Sequence, residues 1–549
     1  MNKELLCGLF ADDQEVPLEG IRIAACLTDS ASEVTITQRY RNRETVPVEA
    51  VYVFPLPEEA AVCGFAALLD ERTLTGHVEE RDKAFETYDD AMAEGHGAFL
   101  LDQERPNVFT ASVGNLRPGE SVEIEIRYVA LASTEGEAIR LLIPTTVSPR
   151  YVPRDQPPEV GQPDGERVNP PRWLTVPYGL TLEVEVEMPG GLRAVESPSH
   201  PVRTTMGEKG AKVELSQAEA ALDRDFVLLV ETAEPHRPGA RMAQDDDGTP
   251  VCCLSFLPDP EAEDRRSEVL FLLDCSGSMQ GDSIDQARRA LALCIRALSA
   301  GDTFNIVRFG SRHEALWHTP KPFNQRTLEA ATRYVERADA DLNGTEMLAP
   351  LESLLQPAPD PERRRQVLLL TDGQVANESQ IIRLARQHAE TTRLFTFGIG
   401  AGVSEYLLRE LARVSRGAAE FIYPGERIEP KVLRMFGRVR TPALADVQVD
   451  WGGLRVEQAP AEIPPIFAGD RLTIFGRMEA GTADHVTLTA GDRQWRVDLD
   501  LATAEQGGPL PLLWARQRIR DIENNGAARR GSAQRQRQRQ RDEKRLVEL

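Results

Sequence analysis

The stretch Val269-Leu270-Phe271-Leu272-Leu273-Asp274-Cys275-Ser276-Gly277-Ser278-Met279 decides the fold of the central part of the chain. Five consecutive apolar residues predict a strand buried on both faces, and an amphipathic stretch over 283–299 predicts that a helix follows it. Between them lie the carboxylate of Asp274 and the hydroxyls of Ser276 and Ser278 on a glycine-containing turn. Ligands of parallel α/β sheets bind at the carboxyl ends of the strands, so this turn is a candidate ligand site.

The alternation of strand and helix continues outward from this stretch and repeats about five times over residues 265–438. This rhythm predicts a doubly wound, mostly parallel, Rossmann-like domain. The apolar runs that predict its strands are 269–273, 303–309, 366–370, 394–399 and 419–422. The amphipathic stretches that predict its helices are 283–299, 325–338, 378–390, 404–415 and 429–437.

Two further loops at the same end of the predicted sheet carry oxygen atoms suited to a metal ion. Thr345 lies in the loop over 342–346, and Asp372 follows the strand predicted at 366–370. The candidate metal ligands from the three loops are Asp274, Ser276, Ser278, Thr345 and Asp372. Hydroxyl and carboxylate oxygens with few charges suit Mg²⁺ or Mn²⁺, whereas zinc would favour His or Cys. The sequence therefore predicts a Mg²⁺ or Mn²⁺ site.

These five residues resemble the metal-ion-dependent adhesion site of the von Willebrand factor type A (vWA) domain, whose pattern is Asp-x-Ser-x-Ser, then Thr, then Asp. The resemblance implies that both serine hydroxyls contact the metal directly, as Thr345 does in the ligand-bound state. It implies that Asp274 and Asp372 act directly or through water, and that an acidic side chain of a protein partner completes the coordination. Asn343 departs from the family, in which Gly is frequent at this position.

The first 150 residues are predicted to form a β-sandwich-like domain. Apolar and polar residues alternate over 33–40 and 122–128, as in strands with one buried face, and one helix is predicted over 80–93. A resemblance to the VIT domain lies in residues 42–44, 52–57, 76–80, 106–109 and 113–120. The order of VIT domain, linking β segment and vWA domain is similar to that of inter-alpha-trypsin inhibitor heavy chain-like bacterial proteins. The fold class predicted is therefore multidomain, α/β and β.

Three further segments complete the predicted organisation. Residues 151–250 form a Pro-rich connector and then a β segment that packs with the VIT domain or a linking region. Residues 439–505 form a small β segment. Residues 506–549 begin as a helix and end in an Arg/Gln-rich tail with the composition of a disordered segment. The stretch over 513–516 resembles the helix that follows the vWA domain in this family, after which bacterial relatives usually continue, so a longer natural chain is expected.

Composition limits the partners and the compartment. The chain of 549 residues carries 64 basic and 87 acidic side chains, a formal charge of −23 that disfavours nucleic acid as the main partner. Its seven cysteines lack the spacing of a metal site, which favours a reducing intracellular compartment. Neither a transmembrane segment nor a signal peptide is recognisable, so a cytoplasmic location is expected. Only 7 of the 64 basic residues are Lys, which favours a bacterial source.

The leading functional hypothesis is a non-catalytic, metal-dependent protein–protein interaction protein, acting in adhesion or as a scaffold. One alternative is a non-catalytic subunit of an ATPase or chelatase-like complex. Another is a metal-dependent hydrolase, for which Glu346 is the one general base that the sequence offers near the site. The oligomeric state and the identity of the partner stay open.

Overall fold

The structure is a computed structural model that describes residues 8–144, 180–258 and 266–527 apart from short gaps. The gaps are residues 12–13, 17, 43–44, 46–47, 58–59, 70–71, 77–80, 95–98, 106–107, 136, 209, 217–224, 373–374, 376, 401–402, 404, 423–427, 442, 445–446, 468 and 501–503. The predicted Pro-rich connector and Arg/Gln-rich tail lie outside the described residues. Within the described part of the chain, no helix is both long and apolar enough to cross a membrane.

The N-terminal region is almost entirely β structure. Its elements up to residue 143 are β1 (Gly8–Ala11), β2 (Gln14–Val16), β3 (Leu18–Thr28), β4 (Ala31–Arg41), β5 (Val48–Pro55), β6 (Ala61–Leu69), β7 (Arg72–Thr75), α1 (Arg81–Ala93), β8 (Phe99–Arg105), β9 (Val108–Leu116), β10 (Ser121–Leu131), β11 (Ser133–Glu135) and β12 (Ala138–Ile143). The strands that follow residue 179 are β13 (Leu180–Glu187), β14 (Leu192–Glu196), β15 (Val202–Met206), β16 (Gly210–Leu215), β17 (Phe226–Thr232), β18 (Gly239–Gln244) and β19 (Pro250–Phe256).

An eight-stranded sheet forms the body of this region, in the order β15-β16-β13-β3-β4-β10-β6-β7. The alternation predicted from the sequence appears in β10, where Val122, Ile124, Ile126 and Tyr128 are at most 1% exposed. These side chains share one face of the strand and join a large apolar core. The strand β13 pairs in parallel with β3, so residues after the undescribed connector return to the same sheet.

The central region confirms the doubly wound prediction. Its elements are β20 (Ser267–Asp274), α2 (Asp282–Arg296), β21 (Thr303–Phe309), β22 (His313–Ala315), β23 (Lys321–Pro322), α3 (Gln325–Glu336), α4 (Leu348–Leu355), β24 (Arg364–Thr371), α5 (Glu378–Gln387), β25 (Thr392–Ile399), α6 (Glu405–Val414), β26 (Ala419–Ile422) and α7 (Ile428–Arg440). Five strands pair in parallel in the order β21-β20-β24-β25-β26, with β22 antiparallel at the edge. Separate apolar cores lie on the two faces of the sheet.

The helix α4 is absent from the sequence-based prediction. Pro350 lies in its first turn, where a missing backbone N–H removes no intrahelical hydrogen bond, so proline does not prevent the helix. The helix is short and apolar, and its Leu351 and Leu355 are at most 3% exposed. Its only polar residues, Glu352 and Ser353, are adjacent, and eight residues are too few to establish an amphipathic period, so apolar packing stabilises the helix.

The C-terminal region consists of short strands, as predicted, and some of them share a sheet with strands that precede the α/β domain. Its elements are β27 (Ala443–Leu444), β28 (Gln448–Asp450), β29 (Arg455–Ala459), β30 (Ile466–Phe467), β31 (Leu472–Ala480), β32 (His485–Ala490), β33 (Arg493–Asp498), β34 (Glu505–Gln506) and α8 (Pro509–Ala527). One sheet has the order β29-β31-β19-β18-β34, so strands from before and after the α/β domain pair directly. The strand β18 pairs with β19 and with β34, and its Arg241 also donates a hydrogen bond to the Thr28 carbonyl of the N-terminal region. That residues 151–250 pack with the VIT domain or a linking region stays a prediction. Sequence periodicity does not reveal which distant strand is the partner.

Candidate metal centre

The two candidate carboxylates lie where the order of the parallel strands reverses. The chain enters the sheet at β20, moves to β21 on one side, and crosses back to β24 on the other. Asp274 is the last residue of β20, and Asp372 directly follows β24. A crevice forms at such a reversal because the connections leave the neighbouring strands in opposite directions.

Asp274 is fully buried and held by two hydrogen bonds. Its Oδ1 accepts from the backbone N–H of Ser276 at 2.8 Å, and its Oδ2 accepts from the hydroxyl of Thr371. Burial raises the pKa of Asp274 to about 6, and the charge of Asp372 adds to this effect. Hydrogen bonds from Ser276 and Thr371 act in the opposite direction because they stabilise the carboxylate.

The two serines present their oxygens side by side. Residues 277–279 form a single 3₁₀ turn after Ser276, and the Oγ atoms of Ser276 and Ser278 lie 3.1 Å apart. Ser276 is 1% exposed and Ser278 is exposed, so the pair leads from the interior to the surface.

The loop that carries Thr345 is attached to its neighbours through backbone hydrogen bonds. The Gly277 N–H donates to the Asn343 carbonyl at 2.6 Å, and the Leu342 N–H donates to the Cys275 carbonyl at 3.0 Å. Asn343 adopts a left-handed conformation with φ of 61°, which Asn tolerates better than most residues other than Gly. The departure from the family pattern at this position is therefore compatible with the same loop geometry. Thr345 itself is half-buried.

A fourth loop, which follows β21, supports the Thr345 loop. The Glu346 N–H donates to the Gly310 carbonyl at 2.9 Å, and the hydroxyl of Ser311 accepts from the Gly344 N–H at 2.9 Å. Ser311 and Thr371 are supporting residues that the sequence analysis missed. The available signal was their position, because each lies at or just after the carboxyl end of a strand that borders the site.

The structure thus brings Asp274, Ser276 and Ser278 together by direct hydrogen bonds, and places Asp372 close enough to raise the pKa of Asp274. It attaches the Thr345 loop to the serine turn through backbone atoms. Among the described residues, no group of three or more His, Cys, Asp and Glu side chains could hold a metal ion. Three of the five candidate ligands are hydroxyls of Ser or Thr. A metal centre here would therefore depend on oxygens from residue types other than His, Cys, Asp and Glu.

Cys275 lies between the ligands but faces the apolar core. Its side chain is 0% exposed, and burial raises the pKa of the thiol to about 12. A thiol that stays protonated is a poor nucleophile. The residue therefore contributes packing, in agreement with the preferred interpretation of the sequence.

Two family models match the chain. The Vault protein inter-alpha-trypsin domain (VIT) matches residues 18–128, and the von Willebrand factor type A domain matches residues 267–421. These matches agree with both resemblances found in the sequence.

Among curated proteins, von Willebrand factor A domain-containing protein 5A from Rattus norvegicus is 34% identical over 86% of this chain and 61% of its own length. The Homo sapiens protein of the same name is 33% identical over 92% of this chain and 68% of its own length. The chain thus spans about two thirds of these relatives. Both are animal proteins, so the bacterial source stays a prediction.

A solved structure, the von Willebrand factor type A protein from Catenulispora acidiphila, is 18% identical with a TM-score of 0.33, covering 54% of this chain and 80% of that one. The sequence relatives and the two domain matches are the findings that assign the family. The chain belongs to the family of proteins that join a VIT domain to a von Willebrand factor type A domain, a domain of protein-interaction and scaffold roles.

Proposed function

We propose that the chain is a metal-dependent protein-interaction protein that binds a carboxylate of its partner through Mg²⁺ or Mn²⁺. Asp274, Ser276, Ser278, Thr345 and Asp372 are the proposed metal residues. A bound ion of this kind would supply a coordination position for an external carboxylate oxygen. The rest of the recognition would come from the surface around the site.

The distance between the two serine oxygens carries this proposal. Adjacent ligands of an octahedral ion with bonds of about 2.1 Å lie about 3 Å apart. The Oγ atoms of Ser276 and Ser278 lie 3.1 Å apart, so the turn needs little rearrangement to present both oxygens to one metal. Such preorganisation favours binding because less side-chain freedom is lost.

The charge of the site also supports the proposal. Asp274 is buried beside Asp372, and burial disfavours its charged form. A cation would compensate both carboxylates. Because the proposed protein ligands carry only two negative charges, a divalent ion would retain affinity for an acidic group from outside. The formal charge of −23 would discourage nonspecific anionic ligands.

The test measures metal binding and partner capture separately. Mn²⁺ titration followed by electron paramagnetic resonance compares wild type with Ser278→Ala and Asp274→Asn. A pull-down from source lysate, read by mass spectrometry, compares the same proteins in Mg²⁺ and in EDTA. We expect wild type to bind one Mn²⁺ and to capture partners only with metal. Both variants should lose most of this binding and capture.

The matched control is Asp492→Asn, which removes an exposed carboxylate from the turn between β32 and β33. It should behave as wild type in both measurements. Unchanged Mn²⁺ binding by Ser278→Ala and Asp274→Asn would contradict the proposed ligands. Metal binding that disappears while partner capture persists would contradict the role of the metal in recognition.

A further inference from the structure

A second polar cluster lies where the VIT region meets the mixed β sheet of the C-terminal region. Arg241 on β18 is in register with Cys253 on β19, and Ser255 is in register with Thr473 on β31. Arg471 precedes β31 and donates from Nη1 to the Ser255 hydroxyl at 3.3 Å. The tip of the β3–β4 hairpin, Asp29 and Ser30, contacts this cluster through Asp29.

Arg471 is buried with one edge of its guanidinium unused. The side chain is 7% exposed, and its Nη1 lies 3.7 Å from Oδ1 of Asp29. Its Nε and Nη2 are buried and have no hydrogen-bond partner within the described part of the chain. The buried hydroxyl of Ser30 likewise has none among the described residues. Buried polar atoms in native proteins are nearly always hydrogen-bonded, so these groups indicate a missing acceptor.

Two other arginines of this chain show what the unused edge binds. In Arg438, Nε and Nη2 both donate to Asp470 at 3.0 to 3.1 Å. In Arg477, six residues after Arg471, Nε donates to Asp245 and Nη2 to Asp247, each at 2.7 Å. This edge of a guanidinium matches two acceptor oxygens. At Arg471, no described carboxylate accepts hydrogen bonds from Nε and Nη2.

The charge of the cluster also favours an anion. Arg241 donates to the Thr28 carbonyl at 3.0 Å, and no described carboxylate forms an ion pair with it. Within the described part of the chain, Asp29 is the one carboxylate that forms an ion pair with either of these two guanidiniums. Burial raises the pKa of the Cys253 thiol well above its ordinary value, so Cys253 stays neutral. The cluster therefore carries a net positive charge at a place that is largely shielded from water, where uncompensated charge is unfavourable.

We propose that this junction, defined by Ser30, Arg241 and Arg471, binds one small oxyanion such as a phosphate or a carboxylate group. Nε and Nη2 of Arg471 donate to two of its oxygens, and Ser30 donates from its hydroxyl. The site joins the VIT hairpin to the sheet that flanks the vWA domain. Bound oxyanion therefore stabilises the contact between these two regions, independently of the proposed metal centre.

The full chain is first freed of metal ions on a chelating resin. Isothermal titration calorimetry with inorganic phosphate then tests this site, with ionic strength held constant with chloride. We expect one phosphate per chain, and sulfate and acetate should compete for it. The variant Arg471→Gln should bind about tenfold or more weakly, because hydrogen bonds to a charged group are lost. Arg471→Lys should also weaken binding, since Lys keeps the charge but lacks the planar edge.

The matched control is Arg455→Gln, an arginine on the neighbouring strand β29 whose side chain is 73% exposed. It should bind phosphate as wild type does. If Arg471→Gln does not fold, Ser30→Ala provides the same comparison and should also bind more weakly. Absence of saturable phosphate binding to wild type, or equal affinity in the folded Arg471 and Ser30 variants, would overturn the proposal and leave water as the occupant.

Discussion

At the scale of single residues, the buried carboxylate of Asp274 lowers the free energy of unfolding of the domain that contains it. Its carboxyl is fully buried, and burial raises its pKa to about 6. A pKa higher in the folded than in the unfolded chain means that folding favours the protonated form. The free energy of unfolding is therefore reduced as the pH rises through about 4 to 6 in the absence of metal.

The variant Asp274→Asn should consequently stabilise the metal-free protein at pH 7.5. The pKa shift from 3.8 to about 6 sets an upper limit of about 3 kcal/mol on the gain, which should nearly disappear at pH 4. The amide can still accept from the Ser276 N–H and can donate to the Thr371 hydroxyl. Denaturant unfolding in EDTA at both pH values measures the difference. A destabilised variant at pH 7.5 would show that the hydrogen bonds of Asp274 outweigh its desolvation.

At the scale of elements, the site depends on how closely the loop after β21 approaches the Thr345 loop. A Cβ atom added at Gly310 would lie 2.4 Å from Cβ of Leu342 and 2.5 Å from its carbonyl oxygen. Neither atom is the end of a long, movable side chain. By contrast, a Cβ added at Gly277 would meet the Asn343 carbonyl oxygen at 3.8 Å, an ordinary contact distance.

Gly310→Ala should therefore displace the Thr345 loop and weaken Mn²⁺ binding. We expect a loss of stability of about 1–3 kcal/mol, as in other overpacked sites. Gly277→Ala is the matched control because it adds the same methyl group to the adjacent turn, where there is room. Mn²⁺ titration and thermal unfolding of both variants provide the measurement. Equal effects at the two glycines would mean that loop spacing does not control the site.

At the scale of the whole molecule, segments far apart in sequence complete the same sheets. The strand β13 pairs with β3 over eight residues of each strand, and β12 pairs with β17 over five. Both pairings connect strands before residue 145 with strands after residue 179. A third long-range pairing, β19 with β31, places the entire vWA domain between two neighbouring strands.

Cleavage of the chain between residues 145 and 179 should leave the two fragments associated. A specific protease site inserted near residue 162 provides the cut, and native size-exclusion chromatography measures whether the fragments elute together. They should separate in guanidinium chloride, which disrupts the shared sheets. The same protease site inserted after residue 530 is the control, since the Arg/Gln-rich composition of its short C-terminal product predicts that this product is released. Separation of the first pair without denaturant would contradict the pairing of β13 with β3.

Much of this organisation was predictable because it depends on local pattern. The apolar run before Asp274 predicts a buried parallel strand, and all five predicted strands of the α/β domain are present in the structure. The loops of Asp274 and Asp372 were predictable for the same reason, since parallel strands bring their carboxyl ends to one edge. The Thr345 loop lies between the helices α3 and α4, so strand patterning does not place it, and its assignment came from the resemblance to the vWA domain. The helix α4 was not, because its eight residues are too few to show a period and its packing stabilises it.

The sequence by itself therefore determined the α/β domain, the strand and helix types, and the identities of the candidate metal residues. The tertiary structure alone decided that β18 and β19 belong with the C-terminal strands, that the Ser276 and Ser278 oxygens lie 3.1 Å apart, and that Arg471 is buried with one edge unused. Local patterns record which face of an element is apolar. They contain no information on which distant element covers that face, and contacts of that kind set the burial, charge and geometry of both sites.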